Sequence, residues 1–196
     1  MAPPLDLICN NLLNLRKEIG ECSRCGLSTR RQKIVFGEGS LESKVLFVGE
    51  APGAEEDLQA RPFVGRSGEL LNRGLKEVGW SREAVYITNI VMCRPPDNRI
   101  PTPEEQEICS PYLIRKIDIL RPKLLVALGR VSAEYLIGYK IKITERHGDL
   151  FIFPRRENIF ILPIYHPSYV LRNRTEKVLG EFYADLKKAK AFIEEG

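Results

Sequence analysis

The sequence predicts an α/β fold, specifically a three-layer α/β/α sandwich around a central, mostly parallel, four-stranded sheet. Two observations support this prediction. Apolar segments of strand length alternate along the chain with segments of helical periodicity, and the strand segments are continuously apolar, as in parallel strands buried on both faces. The length of 196 residues, without internal repeats or a linker, further predicts that residues 1–196 form one domain.

The first half of the chain is predicted to contain two helices and two strands. Apolar residues recur at helical spacing in residues 5–19, which predicts an amphipathic helix that ends near Gly20. The apolar, β-branched segment KVLFVG predicts a short buried strand at residues 44–49. A second helix is expected to end at Gly79, and VYITNIV predicts the second strand at residues 85–91.

The second half of the chain begins with a helix whose start is clearly marked. TPEE at residues 102–105 is a capping box with proline at the first helical position. The helix is expected to run to about Leu120, with a kink at Pro111. The remaining predicted elements are a strand at 123–129, a helix at 131–137, two strands at 150–153 and 159–164 around a turn at 155–158, and a terminal helix at 175–194.

Composition excludes several classes of protein. A hydrophobic content of 43% is too high for a disordered or low-complexity chain, and the apolar runs are too short to span a bilayer. The N-terminal residues lack the basic start and apolar stretch of a secretory signal, so we expect a cytoplasmic protein with no membrane association. The net charge of +4 is compatible with nucleic-acid binding but does not establish it.

Five cysteines are the unusual feature of the composition, because an odd number without an export signal argues against a disulfide scaffold. Cys22 and Cys25 form a Cys-x2-Cys pair, Cys93 follows the second strand, and Cys109 lies on the next helix. Four such thiolates suit zinc or an iron–sulfur cluster, and the wide spacing of the second pair favours a cubane cluster. The alternative is four unrelated buried thiols, and Cys9 is expected to be a core residue.

Two loop motifs follow predicted strands, at the edge where open α/β sheets bind ligands. In GEAPGAEED at residues 49–57, glycine and proline let backbone amides turn towards a ligand, although spacing alone fits a solvated acidic loop better. HPSYVLRN at residues 166–173 begins with His166, one of only two histidines, which we expect to be accessible to solvent. A lone histidine is more often structural than catalytic, so neither motif decides the function alone.

Together these motifs resemble those of the family 4 uracil-DNA glycosylases, the iron–sulfur branch of the uracil glycosylase superfamily. GEAPGAEED is similar to the first motif of that family and HPSYVLRN to the second, while RPFVG at residues 61–65, Asn89 and the cysteine spacing also match. The resemblance covers nearly the whole chain. It implies a DNA-repair enzyme that hydrolyses the N-glycosidic bond of uracil, leaving an abasic site and free uracil. It also implies a structural [4Fe–4S] cluster on Cys22, Cys25, Cys93 and Cys109.

The resemblance further implies roles in base recognition. The flipped uracil would stack on the ring of Phe63. The side-chain amide of Asn89 would pair with O4 and N3–H of uracil, whereas cytosine presents an amine and an unprotonated nitrogen at these positions. His166 would donate a hydrogen bond to O2 as negative charge develops there, assisted by the backbone amide near Ala51. The implied catalytic residues are Glu50, Asn89 and His166, and the implied uracil-binding residues are Glu50, Ala51, Pro52, Gly53, Glu56, Phe63, Asn89 and His166.

Two positions depart from the related family 1 enzymes. Ala51 stands where family 1 has an Asp that positions the attacking water, and Gly53 stands where family 1 has a Tyr that excludes the thymine methyl. The water must then be held by the backbone, by Glu50 or by Glu56. Thymine must be rejected by another wall of the pocket, with the same two glutamates as candidates.

The resemblance also predicts a DNA-facing surface. Residues 167–172 would form a minor-groove loop, with Val170 and Leu171 as wedges and Arg172 and Arg174 on phosphates. Residues 94–99 lack the histidine of a covalent-trapping relative, which predicts hydrolytic turnover. The expected partners are single- or double-stranded DNA containing uracil and, as further candidates, a sliding clamp or other repair factors. The protein itself is expected to be a monomer associated with the nucleoid.

Two rival hypotheses follow from the same residues. The first is a cluster-stabilised nucleic-acid binding protein without glycosylase activity, against which the presence of Asn89 and His166 argues. The second is a zinc-stabilised α/β protein unrelated to DNA. A brown protein with an absorption band at about 400 nm would exclude the zinc hypothesis, because zinc has no such absorption.

Overall fold

The computed structural model describes residues 3–195 and contains an interleaved series of helices and strands. The helices are α1 (Leu5–Ile19), α2 (Ala54–Gln59), α3 (Arg66–Glu77), α4 (Pro103–Leu120), α5 (Arg130–Ile137), α6 (Ile143–Arg146), α7 (Pro167–Arg172) and α8 (Glu176–Glu195). The strands are β1 (Glu38–Gly39), β2 (Val45–Gly49), β3 (Tyr86–Asn89), β4 (Leu124–Leu128), β5 (Phe151–Phe153) and β6 (Arg156–Ile164). Short 3₁₀ turns occur at Gly26–Thr29, Arg82–Ala84 and Pro96–Asn98.

The strands form one six-stranded sheet in the order β1-β3-β2-β4-β6-β5. Strands β3, β2, β4 and β6 are parallel to one another, while β1 and β5 pair antiparallel at the two edges. The predicted mostly parallel sheet is confirmed, but the predicted number of four strands is wrong. The two strands beyond the parallel four are the short edge strands β1 and β5. Strand β5 corresponds to the strand predicted at residues 150–153, whereas β1 has only two residues, too few to produce a hydrophobic pattern.

The core is divided by the sheet into two layers, which confirms the predicted sandwich. Every residue of β2, β3 and β4 is buried, as expected for parallel strands covered by helices on both faces. On one side, apolar side chains of α1, α4 and α5 pack against the sheet, and on the other side those of α3, α7 and α8 do so. This arrangement leaves the strand ends free to carry loops.

Most predicted helices are confirmed, including the helix from Leu5 to Ile19 and the capping box at Thr102, whose side chain accepts from the Glu105 amide at 3.2 Å. Three short helices, α2, α6 and α7, were not predicted, and α2 and α7 lie within motifs interpreted as loops. Strand β6 begins at Arg156, three residues earlier than predicted, because its exposed polar start pairs with β5 as a hairpin. No helix within residues 3–195 has the length and hydrophobicity needed to cross a membrane.

Candidate active site

A cavity of about 630 Å³ lies where the parallel strands end. Parallel strands place their carboxyl ends at the same edge of a sheet, so residues that follow different strands meet there. The lining contains every residue implied in uracil binding: Glu50, Ala51, Pro52, Gly53, Glu56, Phe63, Asn89 and His166. The fold therefore brings together Asn89 and three motifs that are spread over more than a hundred residues of the sequence.

Asn89 is the last residue of β3, and only 1% of its surface is exposed. Its Oδ1 atom is buried without a hydrogen-bond partner among the residues described. A buried acceptor left unpaired costs about 1–3 kcal/mol, so such atoms in native proteins need a specific explanation. Because Asn89 also lines the cavity, its Oδ1 is available to accept a hydrogen bond from a ligand.

Gly49 makes room for this amide. It pairs with Asn89 across the parallel β2–β3 register. A Cβ atom on Gly49 would lie 2.3 Å from Asn89 Oδ1 and 2.7 Å from the ring of Phe63. Any side chain at this position would therefore displace both the amide and the aromatic ring that face the cavity.

His166 follows β6 and is held by the first turn of α7. Its Nδ1 lies 2.8 Å from the Ser168 hydroxyl and accepts a hydrogen bond from the Ser168 amide at 3.1 Å. Burial, reinforced by the charge of Arg172, lowers the pKa of His166 to about 4. The imidazole is therefore neutral at pH 7, and because Nδ1 accepts from an N–H group, its single proton lies on Nε2.

The RPFVG loop (residues 61–65) is tied to α2 through Glu56. The Glu56 carboxylate accepts hydrogen bonds from the amides of Gly53 at 3.1 Å and of Val64 and Gly65 at 2.9 Å each. This loop presents the ring of Phe63, whose centroid lies 5.8 Å from that of the His166 ring. Glu56 thus holds the two motifs in a fixed relation at the mouth of the cavity.

Comparison with known proteins identifies the family. The family model of the uracil DNA glycosylase superfamily matches residues 36–187. The chain belongs to the uracil DNA glycosylase superfamily. The type-4 uracil-DNA glycosylase of Thermotoga maritima is 44% identical over 178 residues, which cover 90% of this chain and 92% of that protein. The type-4 enzyme of Sulfurisphaera tokodaii is 42% identical over 186 residues, covering 91% and 84% respectively. The predicted resemblance to family 4 is confirmed.

The second feature of this uracil DNA glycosylase superfamily member is a small pocket lined by all four predicted ligands, Cys22, Cys25, Cys93 and Cys109. Two of the sulfur atoms receive hydrogen bonds. The Arg31 guanidinium donates to Cys93 Sγ at 3.6 Å, and the Met92 amide donates to Cys109 Sγ at 3.4 Å. Burial raises the pKa of the Cys93 thiol to about 12. All five cysteines are free, and Cys9 is only partly buried, in contrast to the predicted core position.

The residue types that line this pocket are suitable ligands for an iron–sulfur cluster. Four soft thiols are the ligands such clusters use, and the hydroxyl of Tyr112, which also lines the pocket, is buried without a partner in residues 3–195. However, no three His, Cys, Asp or Glu side chains in the described part of the chain are arranged to hold a single metal ion. The cluster itself stays a prediction.

Asp57 connects the segment after the Cys22–Cys25 pair to the cavity. Only 1% of its surface is exposed, and its carboxylate accepts from the amides of Gln32 at 2.9 Å and Lys33 at 3.2 Å. Asp57 lies on α2, one residue after Glu56, which binds the RPFVG loop. Two neighbouring carboxylates of α2 thus link the segment after the cysteine pair to the wall of the cavity, each by side-chain to backbone hydrogen bonds.

The segment predicted to enter the DNA minor groove is helix α7 rather than a loop. Val170 is 2% exposed and packs in the core beneath α7, so in this structure it is not available as a wedge. Leu171 is partly exposed, whereas Arg172 and Arg174 are exposed, and Arg172 also lines the cavity. Three of the four predicted DNA-facing residues therefore lie at the surface.

The cavity also contains residues that the sequence interpretation missed. Gly129 and Arg130 follow β4 directly, so the strand-end rule that found His166 could have found them. Asn98 and Arg99 lie at the end of the 3₁₀ turn Pro96–Asn98, Tyr165 precedes His166, and Tyr169 lies within HPSYVLRN. No local pattern marked these side chains as cavity residues. Burial raises the pKa of Glu50 at this site, against the opposing effect of Arg130.

Proposed function

We propose that this protein removes uracil from DNA by flipping the nucleotide into the cavity and hydrolysing its N-glycosidic bond. Membership of the uracil DNA glycosylase superfamily and the type-4 relatives support this hydrolase activity. The observation that carries the proposal is the buried, unpaired Oδ1 of Asn89. That acceptor requires a donor, and uracil supplies one as N3–H, whereas the N3 of cytosine has no proton. The predicted alternative, a nucleic-acid binding protein without activity, is not favoured, because the relatives are named as type-4 uracil-DNA glycosylases.

His166 is the group proposed to stabilise the departing base. As the bond breaks, negative charge develops on uracil O2, and a donor placed at that oxygen lowers the barrier. The Nε2–H of the neutral imidazole is free to make this hydrogen bond because Ser168 occupies Nδ1. The base would stack on Phe63, and the backbone amide near Ala51 would provide a second donor to O2.

We assign the attacking water to Glu50 and the wall beside Gly53 to Glu56. The Glu56 carboxylate already accepts three backbone amides, which leaves little capacity to hold water. Glu50 lines the same cavity, and burial raises the pKa of its carboxyl, which suits a proton acceptor for the water. A Cβ on Gly53 would lie 2.7 Å from Glu56 Oε2, so Glu56 fills the space that a side chain at position 53 would take. Thymine rejection is therefore proposed for Glu56.

We propose that Cys22, Cys25, Cys93 and Cys109 hold a [4Fe–4S] cluster. The cluster would supply structural cross-linking rather than a step of the chemistry, since it joins the N-terminal segment to the loop after β3 and to α4. The donor set and the unpaired Tyr112 hydroxyl in the same pocket support this assignment. The hydrogen bonds from Arg31 and the Met92 amide would remain on two of the coordinated sulfurs.

The proposed substrate is DNA, bound by a surface that includes Leu171, Arg172 and Arg174. Exposed arginines suit phosphate contacts, and a partly exposed leucine suits the space left by a flipped base. The enzyme would act as one domain over residues 1–196, as a monomer, in the cytoplasm at the nucleoid. Contacts with a sliding clamp or other repair factors stay predictions.

The test measures uracil release from oligonucleotides that contain U:G, U:A or single-stranded uracil, followed by alkaline cleavage at the abasic sites. We expect strand cleavage with the wild type and a loss of about 100-fold or more in Asn89→Ala and His166→Ala, the range typical of a lost transition-state donor. Asn158→Ala, at an exposed position on β6, is the control and should retain full activity. Absence of cleavage by the wild type would reject the proposed function, and wild-type rates in both variants would reject these residue roles.

A further inference from the structure

We propose that Arg82 is a positioning residue for uracil excision, which holds the RPFVG loop so that the Phe63 ring faces the flipped base. The inference rests on the proposed function. Arg82 lies in the 3₁₀ turn before β3 and contributes no atom to the cavity lining. It therefore acts through the loop and not on the substrate.

The guanidinium of Arg82 is almost fully enclosed, with 12% of its side chain exposed. It makes five hydrogen bonds, as many as it has N–H groups. Nη1 donates to the Phe63 carbonyl and to Asn72 Oδ1, each at 3.0 Å, and Nη2 donates to the Pro62 carbonyl. Glu38 Oε1 accepts from Nη2 at 2.8 Å and from Nε at 3.1 Å.

The loop needs such a partner because its backbone is strained. Phe63 has a φ of +49°, in the left-handed region that bulky side chains avoid. The carbonyls of Pro62 and Phe63 are bound by Arg82, and the amides of Val64 and Gly65 are bound by Glu56. A cation on the carbonyl side and an anion on the amide side thus hold the peptide units around Phe63 in this conformation.

The position of the Phe63 ring depends on this backbone conformation. The ring is packed close to Gly49, where an added Cβ would approach it to 2.7 Å, and lies 5.8 Å from the His166 ring. On the other side, the Phe63 carbonyl is so close to helix α3 that a Cβ on Gly68 would come within 1.9 Å of it. If φ relaxed to a negative value, the ring would turn away from both Asn89 and His166. Arg82 therefore controls the stacking surface from outside the cavity.

The test compares Arg82→Ala, Arg82→Lys and the wild type for kcat, KM and inhibition by free uracil. We expect KM and the inhibition constant of uracil to rise about 10-fold in Arg82→Ala, because both depend on stacking in the cavity. Arg82→Lys keeps the charge but not the fork that binds two carbonyls and Glu38, so it should recover only part of the loss. Arg115→Ala, which removes an arginine paired with Glu18 outside the site, is the control.

A double-mutant cycle distinguishes positioning from general stability. If Arg82 acts through the Phe63 ring, Arg82→Ala should have no further effect on KM or uracil inhibition in a Phe63→Ala background. A lower unfolding temperature with unchanged KM and uracil inhibition, or additive effects in the double variant, would overturn the inference. A wild type that releases no uracil would instead reject the proposed function, so the two failures are distinguishable.

Discussion

The cavity at the strand ends and the cysteine pocket differ in how their walls are held. Around the cavity, side chains bind the backbone directly: Glu56 accepts from three amides, Arg82 donates to two carbonyls, and the Ser168 amide orients His166. The cysteine pocket is lined by four free thiols from three chain segments, and the Tyr112 hydroxyl has no partner within residues 3–195. Side-chain to backbone hydrogen bonds therefore hold the walls of the cavity, whereas the walls of the cysteine pocket are expected to depend on the proposed cluster.

The two regions are joined through Asp57. Its carboxylate binds the amides of Gln32 and Lys33, which follow the Cys22–Cys25 pair, while its neighbour Glu56 binds the RPFVG loop. Any loosening of residues 22–33 would therefore reach the cavity wall through α2. If the proposed cluster holds residues 22–33, this connection is the physical route by which it would stabilise the cavity wall without taking part in the chemistry.

The largest expected effect is the loss of a proposed cluster ligand. Cys109→Ser should abolish the absorbance at about 400 nm. It should also lower the free energy of unfolding by about 4 kcal/mol or more, which corresponds to a decrease of roughly 10 °C in Tm. Absorption spectra and thermal unfolding of anaerobically purified protein measure both quantities. Cys9→Ser is the matched control, because Cys9 lies on α1 outside the pocket.

If the cysteine pocket holds no cluster, Cys109→Ser and Cys9→Ser should change the stability of the protein to a similar extent. A cysteine pocket organised by packing alone would tolerate Cys109→Ser with a small change in stability, and Cys9→Ser would have a similar effect. Retained colour in Cys109→Ser, or equal unfolding temperatures for the two variants, would contradict a cluster at this pocket.

A smaller effect is expected from Asp57→Asn, which tests the connection between the two regions. The amide keeps one acceptor oxygen but presents an NH₂ group where backbone N–H donors point, which should cost about 1–3 kcal/mol. We also expect a rise of several-fold in KM for uracil-containing DNA, with the cluster absorbance retained. Kinetics and spectra of the same preparation check this combination.

Asp149→Asn is the control for this variant, because Asp149 is exposed and pairs only with Arg146 among the hydrogen bonds described. It should match the wild type in stability and KM. If Asp57→Asn lowers stability and leaves KM unchanged, the two regions are energetically independent, and the route through α2 does not operate.

The elements that carry these contacts differ in how far the sequence predicts them. The capping box at Thr102 and the periodicity of α1 are local signals, and both helices form as expected. Helices α2 and α7 have six residues each, too few for a periodic pattern, so their motifs were interpreted as loops. The burial of Val170 depends on that helix, and the sequence stretch alone does not indicate it.

Candidate cavity residues were predicted where a motif or a strand end marked them, as for Asn89 and His166. The side chains that hold those residues were not, because they come from distant positions without a local pattern. Arg82 and Glu38 are 44 residues apart, and Asp57 binds an amide 25 residues away. Such long-range polar contacts depend on the complete fold and leave no periodic pattern in the sequence.

The smallest expected effect is a pH dependence of the free energy of unfolding that arises from His166 in the cavity. The cysteine pocket should not contribute to it. Burial lowers the pKa of His166 from 6.5 to about 4, so the unfolded chain binds a proton at this residue more readily than the folded protein does. The resulting stabilisation is present above pH 6.5 and is lost as the pH falls towards 4. At pH 5.5 the loss should be about 1 kcal/mol, and His166→Gln should lack it. Unfolding free energies of both proteins at pH 7.5 and 5.5 measure the difference, and equal acid sensitivity would mean that His166 is not held neutral by the cavity.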